Sequence, residues 1–124
     1  MPYKILLADD EEDIKTVMRL FLEEKGYEIV TAFDGLDAID ITRREQPDLI
    51  LLDIMMPVIN GYEVCQKLKA DASTANIPIV MLSAAAHADS VKKGLDAGAV
   101  DYLVKPFDPE KLEEVIQHVL GPKE

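Results

Sequence analysis

The chain has 124 residues, 48% of them hydrophobic and 30% charged, which suits one domain with a sizeable core and not a disordered segment. Its net charge of -11 would repel a nucleic-acid backbone, so any control of transcription would pass through another polypeptide. The single Cys65 excludes an internal disulfide framework and fits a reducing cytoplasm, no apolar run approaches the roughly 20 residues that cross a bilayer, and the start Met1-Pro2-Tyr3-Lys4 lacks a signal-peptide pattern.

Short apolar runs alternate with helical patterns. The first run, Tyr3 to Ala8, leads into Asp9-Asp10. A helix follows from about Glu12 to Lys25. In it Ile14, Val17, Met18, Phe21 and Leu22 carry the i, i+3, i+4, i+7, i+8 spacing of an amphipathic face, and Gly26 stops it. Glu28 to Ala32 reads as a second strand. Leu36, Ala38, Ile39 and Ile41 sit on a second helix before Gln46-Pro47. The third run, Asp48 to Leu52, is almost continuously apolar and bounded by turn signals, the pattern of a strand buried in a parallel sheet. It leads into Asp53 and then Met56-Pro57. A third helix, Gly61 to Ala70, carries Val64, Cys65 and Leu68; Asp34-Gly35 and Asn60-Gly61 read as turn pairs. Ile77 to Leu82 is a fourth strand, leading into Ser83. Ser90 to Ala97 is a weaker helix, broken by Gly94 and Gly98. Tyr102 to Val104 is a fifth strand, leading into Lys105-Pro106. The last helix starts near Pro109, a residue suited to a first turn, and buries Leu112, Val115, Ile116 and Val119. Residues 121–124 read as a frayed end or the start of a linker. Five strand–helix repeats argue an α/β domain with a central parallel sheet and right-handed crossovers.

Chemistry gathers at the strand ends. Open α/β sheets bind ligands at the carboxyl ends of their strands. There the sequence delivers three carboxylates, Asp9, Asp10 and Asp53, and one ammonium, Lys105. Converging carboxylates repel one another, and a hard divalent cation such as Mg²⁺ relieves that repulsion through oxygen ligands. A lysine facing the cluster supplies a point charge for a phosphoryl oxygen. Ser83 could donate to the same anion, although a serine at a strand end also serves turn chemistry. The plainer reading of Asp9-Asp10-Glu11-Glu12 is helix capping, and it suits Glu11, Glu12 and Asp13 best. Cys65 fits as a small core residue, and His87 and His118 lack a metal-ligand spacing.

Taken together the pieces Ile5-Leu6-Leu7-Ala8-Asp9-Asp10, residues 48–57 with Gly61 beyond them, Ile79-Val80-Met81-Leu82-Ser83-Ala84 and residues 98–107 resemble the bacterial response-regulator receiver domain, the CheY-like family. The resemblance covers residues 3–120 in order and spacing. It implies a doubly wound, flavodoxin-like sheet of strand order 2-1-3-4-5 with five helices. It also implies a two-component signalling switch rather than an enzyme, with Mg²⁺ as cofactor. Asp53 would accept the phosphoryl group. Asp10, Asp53 and the Met55 backbone carbonyl would bind the metal directly, and Asp9 through water. Ser83 and Lys105 would hold phosphoryl oxygens, and Ser83 and Tyr102 would act as switch residues. The implied partners are a sensor histidine kinase or histidine phosphotransfer protein and a downstream target or effector domain, with no direct nucleic-acid contact and no membrane insertion. A relay role, passing phosphate onward to a histidine phosphotransfer protein, and a receiver cut from a longer transcriptional regulator both fit the same residues.

Two other classes fit the residues less well. A flavodoxin-type electron carrier shares the architecture but needs a hydroxyl- and glycine-rich phosphate loop after the first strand, where Asp9-Asp10-Glu11-Glu12 would repel a flavin phosphate. An aspartate-nucleophile phosphatase resembles Asp-x-Asp at its nucleophile, whereas Asp53 is followed by Ile54 and Met55.

Overall fold

A computed structural model describes residues 2–84, 88–105 and 107–121, with only the backbone considered at 88–90. Its elements are β1 (Lys4–Ala8), α1 (Glu12–Glu24), β2 (Glu28–Ala32), α2 (Gly35–Glu45), β3 (Leu49–Asp53), α3 (Gly61–Ala70), β4 (Ile79–Ser83), α4 (Ala88–Asp96), β5 (Asp101–Val104) and α5 (Pro109–Leu120). All strand pairs are parallel, and the order is β2-β1-β3-β4-β5. This is the doubly wound α/β arrangement expected.

Successive strand residues point to opposite faces, and here both faces are covered. On one face Leu6, Ala8, Ile50, Leu52, Ile79 and Met81 pack against α2 and α3 through Ala38, Ile39, Val64, Cys65 and Leu68. On the other, Ile5, Leu7, Leu49, Leu51, Val80 and Leu82 meet α1 and α5 through Met18, Leu22, Leu112, Val115 and Ile116. Cys65 belongs to this packing. Burial pushes its thiol up to about 11, against the pull of Lys69, and its Sγ lies 3.3 Å from the Ala97 carbonyl.

Several local expectations shift. Asp34 and Asn60 are not turn residues but helix N-caps. The Asp34 carboxylate accepts from the Asp37 N–H at 2.8 Å, and Asn60 forms a capping box with Glu63. The ladder of β4 begins at Ile79 rather than Ile77, because Pro78 has no N–H to donate. Helix α4 opens at Ala88, two residues early. Gly26, at φ 98°, ends α1 in the left-handed conformation expected of it. Val17, assigned to the buried face of α1, is 61% exposed, while Lys15 is 6% exposed. Lys15 owes its burial to its ammonium, which reaches Glu12 Oε1 at 3.0 Å and the Ala32 carbonyl at 3.4 Å beside the end of β2.

Candidate functional site at the carboxyl edge of the sheet

The central strands set the site. The register pairs Ala8 with Leu52 across β1 and β3, so Asp9 and Asp53 leave neighbouring strands at one level. On the other side Asp53 pairs with Leu82, and Ser83 with Val104. Ser83 is therefore one residue further out, and Lys105 follows it: the Lys105 N–H donates to the Ser83 carbonyl at 2.7 Å. Topology alone brings these sequence-distant residues to one edge.

Asp9, Asp10 and Asp53 each offer an oxygen within 4.8 Å of the others. Asp9 and Asp53 are buried and Asp10 is exposed, so the cluster opens to solvent on the Asp10 side. Lys105 reaches into it. Its ammonium lies 2.8 Å from Asp9 Oδ2 and 3.5 Å from both Asp53 Oδ2 and Glu11 Oε1. The second oxygen of Asp9 accepts from the Glu11 N–H at 2.9 Å. The Asp53 carboxylate accepts from the Met55 N–H at 3.2 Å.

These surroundings work against ionised Asp53. Burial, then the charge of Asp9, push its carboxyl up to about 6, opposed by Lys105 and the Met55 N–H. Burial alone would lower the Lys105 pKa, but its hydrogen bond to Asp9 and the charges of Asp53, Asp9 and Glu11 outweigh that and raise it. The pocket thus holds more negative charge than one ammonium neutralises. Three converging carboxylates with oxygen donors only are a donor set for a hard divalent cation, Mg²⁺ above softer metals.

The β3–α3 loop fixes the mouth. The Ile54 N–H donates to the Leu82 carbonyl at 3.0 Å and the Gly61 N–H to the Ile54 carbonyl at 2.8 Å. A side chain at Gly61 would press on backbone, with its Cβ 2.6 Å from the Asp53 carbonyl oxygen. Val58, at φ 74°, sits at the centre of a tight turn closed by the Ile59 N–H on the Pro57 carbonyl at 3.0 Å. Met56 is buried, and the Met55 side chain is 73% exposed beside Asp53.

Of the residues singled out in the sequence, Asp9, Asp10, Asp53 and Lys105 come together directly, with Met55 and Ser83 adjoining. Tyr102 stands apart on the outer strand β5, 37% exposed, bordering a space of only about 10 Å³ behind Ser83 that Met81, Val91 and Gly94 also line. His118 lies on α5, outside the acidic cluster. His87 and the Lys105–Pro106 bond's proline fall outside the described residues.

Two features were not foreseen. Glu11 takes the N-cap position of α1, as the capping expectation requires, yet its side chain makes no cap bond and turns to Lys105. An open apolar groove of about 580 Å³ adjoins the site between α1 and α5, lined by Ile14, Val17, Phe21, Phe107 and Leu112, with Lys105 at its edge. The exposed Val17 is its sequence trace, hidden because helical spacing alone assigned that residue to the core.

The profile of the family described as response regulator receiver domain matches residues 5–117. A relative from Porphyridium aerugineum, named "Probable transcriptional regulator ycf27", is 44% identical over 117 residues, which is 94% of this chain and 48% of that protein. The chain spans about half the length of the curated relatives it matches. Among solved structures, chemotaxis protein CheY4 of Vibrio cholerae superposes with a TM-score of 0.92 at 33% identity, covering 97% of this chain and all (100%) of that one. The receiver domain of a sensor histidine kinase from Pseudomonas aeruginosa PAO1, solved with a magnesium ion coordinated in its active-site cleft, gives 0.90 at 32% identity and covers 98% of this chain and 100% of its own.

Proposed function

The chain belongs to the response regulator receiver domain family, signalling modules of two-component systems, and we propose that it accepts a phosphoryl group on Asp53 in a Mg²⁺-dependent reaction and thereby switches a partner. The observation that carries this reading is the convergence of Asp9, Asp10 and Asp53 within 4.8 Å around a single reaching ammonium, Lys105.

Asp53 is the nucleophile. One carboxylate oxygen attacks phosphorus, the bond to the donor's histidine nitrogen breaks, and the imidazole leaves with that electron pair. The other oxygen stays on the Met55 N–H, which holds the group's direction. Such a transfer needs alignment and charge neutralisation more than covalent help. Asp10, Asp53 and the Met55 carbonyl would hold Mg²⁺, with Asp9 acting through water. The bound ion would offset the carboxylates and the incoming phosphoryl charge. Lys105 moves its ammonium from the carboxylates to a phosphoryl oxygen, and the Ser83 hydroxyl donates to another.

A phosphoryl group on Asp53 adds about two negative charges. Ser83 approaches it and enlarges the space behind β4, and the Tyr102 ring turns inward from its exposed position. The α4–β5–α5 face shifts as a result, a bias on an equilibrium set by differential affinity. The phosphodonor is a sensor histidine kinase or a histidine phosphotransfer protein, and the apolar groove beside Lys105 supports a protein rather than a metabolite as donor. Relatives named as transcriptional regulators, of which this chain spans half, support a DNA-binding effector carried on other sequence. The acidic chain itself leaves nucleic acid to that effector. No helix among the described residues is long and apolar enough to cross a membrane.

The test is intact mass after incubation with a small acyl phosphate. Wild type should gain one phosphate only with Mg²⁺ present, and Asp53→Asn none. An adduct that persists in Asp53→Asn, or that maps to Asp9, would overturn the reading.

A further inference from the structure

Glu11 occupies the N-cap of α1, where Ser, Thr, Asp or Asn would satisfy an orphan backbone donor. Helices α2 and α3 use such residues, Asp34 and Asn60, with side-chain cap bonds. Glu11 makes no cap bond. Its backbone N–H instead donates to Asp9 Oδ1 at 2.9 Å, and its carboxylate stands 3.5 Å from the Lys105 ammonium, which itself rests on Asp9 Oδ2 at 2.8 Å. The three residues close a ring at the mouth of the pocket. Asp9 is its buried member, Lys105 is partly buried, and the half-exposed Glu11 carboxylate lies on the solvent side.

Resting on the proposed phosphoryl acceptance at Asp53, we infer that Glu11 is a positioning residue for Lys105: it holds the ammonium on the Asp9 side of the pocket and so restrains phosphoryl entry. Lys105 has three carboxylates competing for it, and only the one at Asp53 lies where the phosphoryl group forms. Each carboxylate on the Asp9 side lowers the energy of the resting position, and the ammonium must leave it to meet a phosphoryl oxygen. Glu11 also lines the apolar groove, so a protein donor seated there would meet this carboxylate and could release Lys105, whereas a small donor could not. The restraint therefore favours a docked protein donor over free acyl phosphates.

The experiment measures Asp53 labelling by acetyl phosphate at saturating Mg²⁺, together with equilibrium affinity for beryllofluoride, in wild type, Glu11→Gln and Glu11→Asp. Glu11→Gln keeps length and removes charge. Glu11→Asp keeps charge at the rim and removes reach. Both should label roughly two- to fivefold faster and bind beryllofluoride tighter by a similar factor. Equal rates in wild type and Glu11→Gln would overturn the inference and leave phosphorylation at Asp53 standing. So would a Glu11→Asp variant that behaves as wild type, since rim charge and not the hold on Lys105 would then be at work. A wild type that takes no phosphate would overturn the proposed function and this inference with it. Thermal melts separate out helix capping, which Asp at this position would improve and Gln would not.

Discussion

The Lys105 ammonium lies 2.8 Å from Asp9 and 3.5 Å from Asp53, so the resting cation sits on the neighbouring carboxylate and not on the proposed nucleophile. It therefore competes with any cation for Asp9. Lys105→Met keeps the aliphatic stem and removes the charge. Mg²⁺ should bind that variant several-fold more tightly, about 1 kcal/mol, because the carboxylates lose their internal counter-ion. Labelling of Asp53 should nevertheless slow by roughly tenfold or more, since a phosphoryl oxygen loses its charged donor. Calorimetric Mg²⁺ titration and intact-mass kinetics read the two effects. Weaker Mg²⁺ binding would contradict the competition.

Asp53 carries a pH signature in metal-free buffer. Burial and Asp9 raise its carboxyl from 3.8 to about 6 in the folded chain. The folded state thus holds a proton that the unfolded state releases, and stability falls as pH rises across that window. Below the lower value both states are protonated and nothing is lost. Above the upper value the full cost, on the order of 3 kcal/mol, is present. Asp53→Asn should therefore be more stable than wild type at pH 7.5 by that amount, with the difference vanishing near pH 4. Urea unfolding at the two pH values checks it; a gain independent of pH would mean that charge is not the cause.

Gly61 has no room for a methyl group. Its Cβ would stand 2.6 Å from the Asp53 carbonyl oxygen and 2.8 Å from Ile54 Cα, both backbone atoms that a rotamer change cannot move. Gly61→Ala should cost about 2–4 kcal/mol and displace the strand end that carries Asp53. Chemical denaturation measures the first effect and Asp53 labelling at low temperature the second. Wild-type stability in this variant would show that the β3–α3 loop yields more easily than its hydrogen bonds imply.

Ser83 tests the coupling between the site and the outer face. Ser83→Ala removes only a hydroxyl, at a buried strand end. The variant should still accept phosphate on Asp53, more slowly, but its amide shifts on adding beryllofluoride should shrink across residues 91–105. Wild-type shifts that stop at the Asp53 loop and leave β5 silent would refute a switch of this kind.

Much of the molecule was readable in order along the chain. Short continuous apolar runs and helices of period 3.6 are local properties, so ten elements could be placed within a few residues, and carboxylates and a lysine at strand ends marked the site before any packing was known. The strand order was not local; it came from likeness to a family. Nor were the consequences of packing local. Helical spacing placed Val17 in the core, but the surface left between α1 and α5 turned it to solvent. The same spacing gave no hint that Lys15 would be buried, because its partner, the Ala32 carbonyl, is 17 residues away. Asp34 and Asn60 looked like turn residues because caps and turns draw on the same side chains. Above all, which carboxylate holds Lys105 depends on a contact spanning 96 residues, and on the side chain of the N-cap residue Glu11 turning to Lys105 instead of making a cap bond. The sequence by itself determined which groups meet at the edge of the sheet. Their distances, their pairing and the raised pKa of Asp53 were decided only by the tertiary structure, because ångström separations and burial belong to elements packed against each other and not to any segment alone.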